Sequence, residues 1–175
     1  MTKYLVFTGP SQSGKTVAAG LLVSVLRERG YTAMRDSFEQ PIKRYLATLF
    51  ARELLSIPMD TVIYELLYKT PRMFIQLQSQ HMRFAYGPGV LGRLLVVRSK
   101  RWKSQPDYIV VDDGTSVNDL RELGNYVLIR MDRDRIERVY PFTIPDPHYS
   151  IMNSKDVPWL KLQTEKLATD LIEQH

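Results

Sequence analysis

Residues 9–16 read Gly9-Pro10-Ser11-Gln12-Ser13-Gly14-Lys15-Thr16, a G-x-x-x-x-G-K-[ST] segment set between two apolar stretches of different period. Tyr4, Leu5, Val6 and Phe7 form a short run with strand propensity, whereas residues 17–26 carry an apolar face of helical period that ends at Gly30. A strand, a glycine turn and a helix in that order let successive backbone N–H groups converge on phosphate oxygens at the positive end of the helix, and glycine lets the backbone approach them closely. Gly9, Ser11, Gln12, Ser13, Gly14, Lys15 and Thr16 are therefore the expected cradle of a nucleoside triphosphate. Lys15 pairs the β and γ phosphates and the Thr16 hydroxyl holds the metal, so ATP and Mg2+ are the expected cofactors. A chance glycine turn ahead of a helix is the competing reading, and the flanking pattern weighs against it.

The rest of the chain alternates. A second strand is expected over residues 31–38 and a helix over 42–55, with Pro41 in its first turn. A helix capped by Asp60 should run to residue 68, where Thr70-Pro71 breaks the pattern. Further helices are expected over 73–86 and 90–102, separated by the Gly87-Pro88-Gly89 turn. Tyr108, Ile109, Val110 and Val111 form a continuous apolar run ending in Asp112-Asp113, as in a strand buried on both faces. A short helix over 118–123 closes at Gly124, a strand follows over 126–131, residues 132–150 read as a long loop, and a helix over 160–174 ends the chain. This order predicts an α/β chain with a three-layer P-loop NTPase fold, a parallel sheet flanked by helices, its ligand at the carboxyl ends of the strands. One domain over 1–175 is expected, with a core of roughly 1–40 and 104–175, a helical substrate-binding insert over about 41–103 and a lid loop over about 132–150.

Composition narrows the chemistry. The 175 residues include no cysteine, and His81, His148 and His175 are too far apart in sequence to form a local ligand pair, so thiolate and histidine-pair metal sites are excluded. No apolar run approaches the length of a membrane span and no charged-then-apolar leader precedes the first strand, so a cytoplasmic protein with no membrane partner is expected. A net charge of +5 fits either a nucleic-acid surface or a cleft for small polyanions. The cluster Arg93, Arg98, Lys100, Arg101 and Lys103 reads first as the solvated end of a helix, and nucleic acid is not the expected partner.

Phosphoryl transfer needs cations around two anionic substrates in a site closed to water. Asp112 or Asp113 should serve the metal with Thr16, Asp113 also being placed to contact substrate. The residues alone do not separate the two. Lys43 and Arg44, and Arg72 and Arg83, eleven residues apart and so on one helix face (about three turns), are expected at the acceptor phosphate. Gln76 could read a base or hold a ribose, Asp36 could bind a sugar hydroxyl or base edge, with Glu39 beside it, and Phe38 could stack on a base. Arg130, Arg133, Arg135 and Arg138 crowd the start of the lid, where they would meet the transferring phosphate. The segment after the fourth strand, Asp132-Arg133-Asp134-Arg135, lacks the lysine of a guanine-reading motif, which argues against a GTPase.

The chain resembles the phage-type deoxynucleoside monophosphate kinases. Ser37-Phe38-Glu39-Gln40-Pro41-Ile42-Lys43 matches that family's Phe-Ala-x-Pro-Leu-Lys segment, and Arg72-Met73-Phe74-Ile75-Gln76 its Arg-x-x-Leu-Gln helix, with Arg83 as a downstream arginine. The family's Asp-x-Arg-x-x-x-Glu falls on Asp113 to Asp119, with Thr115 in place of its arginine and Asp119 in place of its glutamate, and His148-Tyr149-Ser150-Ile151 is a partial counterpart of a late His-x-Ser-Glu. The resemblance implies ATP- and Mg-dependent phosphorylation of a (deoxy)nucleoside monophosphate, in the host cytoplasm if phage-encoded. The alternatives are a P-loop kinase of a non-nucleotide metabolite and a noncatalytic nucleotide- or nucleic-acid-binding protein. A homodimer is left open.

Overall fold

The computed structural model describes residues 1–49, 58, 61–62, 70–114, 116–134 and 145–173. Their elements run β1 (Lys3–Thr8), α1 (Lys15–Glu28), β2 (Ala33–Asp36), α2 (Gln40–Leu49), α3 (Pro71–Tyr86), α4 (Val90–Lys100), β3 (Tyr108–Val111), α5 (Val117–Leu123), β4 (Tyr126–Asp132), β5 (Tyr149–Met152) and α6 (Val157–Glu173). The strands make one parallel sheet in the order β2-β3-β1-β4-β5. β1 and β3 lie inside it with helices on both faces, which is why residues 4–7 and 108–111 are apolar without interruption.

Alternation along β1 divides the core into two. Leu5 and Phe7 face a cluster built from α1 and α6, including Leu22, Leu26, Leu167 and Leu171. Tyr4 and Val6 face the other cluster, which takes Ile42 and Leu46 of α2, Ile75 of α3, Leu91 and Leu95 of α4 and Leu120 of α5. The result is a three-layer α/β fold. Going out from β1, the chain reaches β2 by way of α1 on one side and enters β4 on the other, so the strand order reverses at β1. A crevice opens there at the carboxyl ends of β1, β3 and β4.

Several local expectations shift. β2 is four residues long and lies at the sheet edge; the backbone turns at Ser37, leaving residues 37 and 38 outside the strand expected over 31–38. β5 lies inside the stretch expected to be loop, since its pairing with β4 in register Ile129 to Tyr149 comes from the sheet and not from its own short sequence. α6 starts three residues early because Asp156 Oδ1 accepts from Trp159 N at 3.0 Å, while Pro158 sits in the first turn, where it displaces no helical bond. α3 starts two residues earlier than expected, with Thr70 capping Met73 N at 3.2 Å and Pro71 in its first turn. Of the helix expected after Asp60, Thr61 and Val62 are described and are not helical; the rest of it and the end of the 42–55 helix lie outside the described residues. Among the described residues no helix is long and apolar enough to cross a membrane.

Candidate active site

The loop of residues 9–16 links β1 to α1 in a backbone that glycine alone accepts at its ends. Gly9 has φ 138° and a Cβ there would collide with the Met131 carbonyl of β4, while Gly14, at φ 97°, lies against the side chain of Asn153. Gln12 takes a left-handed φ of 61° without being glycine. Two side chains from beyond the loop hold its outer carbonyls. Arg133 Nη1 donates to Gln12 O at 3.0 Å, and Asn153 Nδ2 donates to Ser13 O at 2.9 Å. Lys15 Nζ lies along the loop, donating to Gly9 O at 3.0 Å and Pro10 O at 2.6 Å. Burial lowers the Lys15 pKa, and the positive charge of Arg72 adds to the effect, against the attraction of Asp112 and Asp113.

Asp112, at the end of β3, receives Thr16 Oγ1 on Oδ2 at 3.0 Å and Arg35 Nη2 on the same oxygen at 2.5 Å. The hydroxyl and the carboxylate are hard oxygen donors side by side. They fit a magnesium ion, which binds through one or two protein oxygens and takes its other ligands from phosphate and water. Among the described residues no group of three or more metal-ligating side chains exists, and such a site needs none.

Asp113 does something else. Its Oδ2 accepts from Ser37 Oγ at 2.6 Å and Glu39 N at 3.1 Å, and its Oδ1 accepts from Phe38 N at 2.9 Å. The carboxylate thus fixes the turn that leads from β2 into α2, and both its oxygens are engaged there, so the geometry corrects its expected metal and substrate roles. Burial raises its pKa, with the neighbouring Asp112 adding to the effect while Lys43 and the Ser37 hydrogen bond oppose it. Glu39, in the same turn, is raised to about 7, chiefly by burial and then by the charge of Asp113, against Lys43, Arg83 and Arg72.

A cleft of about 1500 Å³ runs from the 9–16 loop past Asp112 and Asp113 to α2, α3 and the end of α4. Lys15, Thr16, Lys43, Arg44, Arg72, Gln76 and Arg133 line it, as does Asp36. Three expectations for the acceptor side need correction. Phe38 is 2% exposed in the core with Ile42 and Leu46, so no base can stack on it. Asp36 is held by Arg98, whose Nη2 lies 2.9 Å from Oδ1, and accepts its neighbour Ser37 N as well. Arg83 sits at the far end of α3 with Nη2 2.7 Å from Oδ2 of Asp119, a residue 1% exposed that also accepts Gly92 N at 3.0 Å. That guanidinium docks α3 on α4 and α5 and does not reach for a ligand. On the lid side, Arg130 Nε is 3.3 Å from Asp132 Oδ2 at the end of β4, and Arg130 is not among the residues that line the cleft. Arg135 and Arg138 lie outside the described residues.

Sequence reasoning passed over Arg35 and Asn153. An arginine at the carboxyl end of a strand was the available signal for the first, because ligands gather at that edge of such sheets. Asn153 gave no signal, since it follows a strand that the sequence did not reveal. The basic cluster divides on folding: Arg93 binds Glu122 at 2.8 Å and the Tyr86 carbonyl at 2.7 Å, Arg98 binds Asp36, and Arg101 lines the cleft. His148 is structural, accepting Leu128 N on Nδ1 at 3.0 Å where β5 begins.

The chain matches no protein-family model and no curated protein. Among solved structures it is similar to the APS kinase CysC of Mycobacterium tuberculosis in a cysteine-to-alanine variant, at TM-score 0.51 and 15% identity over 98% of this chain and 97% of that one. The same enzyme in complex with AMPPNP and APS matches at TM-score 0.49 and 14% identity, over 98% and 96% of the two chains. The three-layer α/β P-loop fold is thus shared with that enzyme.

Proposed function

We propose that this protein transfers the γ-phosphate of ATP to a nucleoside monophosphate, giving the diphosphate. One observation carries the reading: a single cleft joins the 9–16 loop and the Thr16–Asp112 pair to Lys43, Arg44 and Arg72 on α2 and α3. Two anions can therefore lie end to end between two sets of cations, the arrangement that an in-line displacement between phosphates needs. The backbone of the loop and Lys15 bind the donor phosphates. Thr16 and Asp112 would hold Mg2+, which neutralises charge on the β and γ oxygens when bound. Arg72, half-buried at the start of α3 and close enough to depress the Lys15 pKa, stands at the junction of donor and acceptor. Its planar fork is suited to phosphate oxygens, and Lys43 and Arg44 add charge on the acceptor side. Arg133 ties the chain after β4 to the loop and brings a cation over the donor, where closure would exclude water. An ionised acceptor phosphate needs no general base. Gln76, on the acceptor side, offers both donors and acceptors for a base or sugar. The preference for a deoxynucleotide rests on the sequence resemblance alone.

A second reading has its own observation. Glu39, held near pH 7 in the cleft wall, has the proton affinity of a general base, and a kinase acting on a hydroxyl would use one. ADP release from ATP and Mg2+, measured with each common ribo- and deoxynucleoside monophosphate and with Lys15→Ala as blank, tests the proposal. Release that depends on one or a few monophosphates and yields their diphosphates supports it. Slow release independent of acceptor refutes it and leaves the hydroxyl acceptor standing.

A further inference from the structure

Arg35 has no part in the mechanism above, yet it touches the centre of the site. It stands next to last in β2, in register with Val110 of β3, and its Nη2 donates to Asp112 Oδ2 at 2.5 Å. That oxygen also accepts Thr16 Oγ1 at 3.0 Å. One carboxylate, 7% exposed, thus carries both the hydroxyl of the metal position and a permanent cation. A divalent ion at that carboxylate weakens the hold of the guanidinium, because the two cations compete for its lone pairs and repel each other at close range. The Arg35 side chain is 45% exposed and lines the cleft, so it has room to turn away. The carboxylate next to it in its own strand, Asp36, is already taken by Arg98. A phosphate in the cleft is the partner that matches its fork.

We propose that metal bound at Asp112 turns Arg35 from that carboxylate onto the phosphate of the acceptor, so that filling the donor half of the cleft prepares the acceptor half. The inference rests on the monophosphate kinase reading and adds to it an acceptor ligand and an order of binding. Coupling of this kind is reciprocal: the acceptor must tighten the metal–nucleotide complex by the factor by which it is itself tightened.

Calorimetric titration of the full chain with AMPPNP, and with the monophosphate that binds, each with and without Mg2+, tests it. In the native protein Mg2+ with AMPPNP should tighten monophosphate binding by about tenfold, within the usual range of such couplings. In Arg35→Gln the factor should fall to about twofold or less, and the gain in AMPPNP affinity on adding Mg2+ should grow, since no guanidinium contests Asp112. Arg35→Lys retains a cation against Asp112 and loses the fork, so it should keep a near-native metal effect while the coupling falls; it carries the test if Arg35→Gln does not fold. Native coupling in both variants, or an unchanged metal effect in Arg35→Gln, overturns the proposal. If no monophosphate binds the native chain, the kinase reading falls and the coupling with it, whereas a failure confined to the variants leaves that reading in place.

Discussion

Replacing Arg83 by methionine separates a structural arginine from a substrate-binding one. The guanidinium gives Asp119 two contacts, 2.7 Å from Nη2 and 3.3 Å from Nε, and Asp119 is 1% exposed with one other donor among the described residues, Gly92 N. Arg83→Met therefore strands a buried carboxylate, and breaking a buried pair from one side costs about 3–5 kcal/mol. For a chain of this size each kcal/mol lowers Tm by roughly 2–4 °C, so a fall of about 6–20 °C is expected by calorimetry or circular dichroism. Arg83→Met with Asp119→Leu removes both charges and leaves only Gly92 N without its acceptor. The double variant should recover at least half of the loss, a coupling of about 2 kcal/mol or more. The acceptor KM of Arg83→Lys, in whatever fraction folds, should stay within about threefold of native, because fewer than 0.7 kcal/mol of acceptor binding is assigned to this residue. A loss of stability below about 1 kcal/mol together with a large rise in acceptor KM would show that Arg83 serves the substrate and that the reasoning is wrong.

Other outcomes follow from the same geometry. Asn153→Leu removes the clamp on the Ser13 carbonyl, worth about 1 kcal/mol, and should lower Tm by roughly 2–4 °C and, by loosening the loop, weaken AMPPNP binding by up to about fivefold, as calorimetry and isothermal titration can check. Asp113→Asn turns an acceptor towards Ser37 Oγ and Glu39 N into a donor, costing about 1–3 kcal/mol of stability without changing how nucleotide affinity responds to Mg2+; Asp112→Asn should do the reverse. Glu39 gives a pH dependence whose sign is fixed. Its pKa rises from 4.5 unfolded to about 7 folded, so the folded state holds the extra proton between those values, and stability is lost as pH rises from about 4.5 to about 7. Glu39→Gln should thus gain stability relative to the native chain between pH 5 and pH 8, measured as the difference in Tm; a difference that is flat with pH would contradict the burial of that carboxylate.

How far the sequence disclosed all this depended on how local each determinant is. The loop from Gly9 to Thr16 was legible because its glycines, lysine and flanking strand and helix are encoded within about twenty-five residues of each other. β5 was not, because only Ile151 of its four residues is buried and its place is set by β4. Phe38 looked free to stack at the end of a long strand; the early turn at Ser37 instead points it into the core beneath α2. Arg72 and Arg83 share a helix and a face, and periodicity could say no more. Eleven residues of helix span about 16 Å, so one end of α3 lies in the cleft and the other against Asp119.

The pair Asp112-Asp113 shows the same limit at its smallest scale. Adjacent residues leaving a strand point to opposite sides of it, so two identical carboxylates at one strand end cannot share a task. The neighbours on each side decide the rest: Thr16, opening α1, lies on the side of Asp112, and the backbone that opens α2 lies on the side of Asp113. Each aspartate thus meets the start of a helix, one through a threonine hydroxyl and the other through main-chain N–H groups. The end of β3 therefore joins the donor-side loop to the turn that carries Glu39 and Lys43, and movement of either one is felt by the other through a single peptide unit.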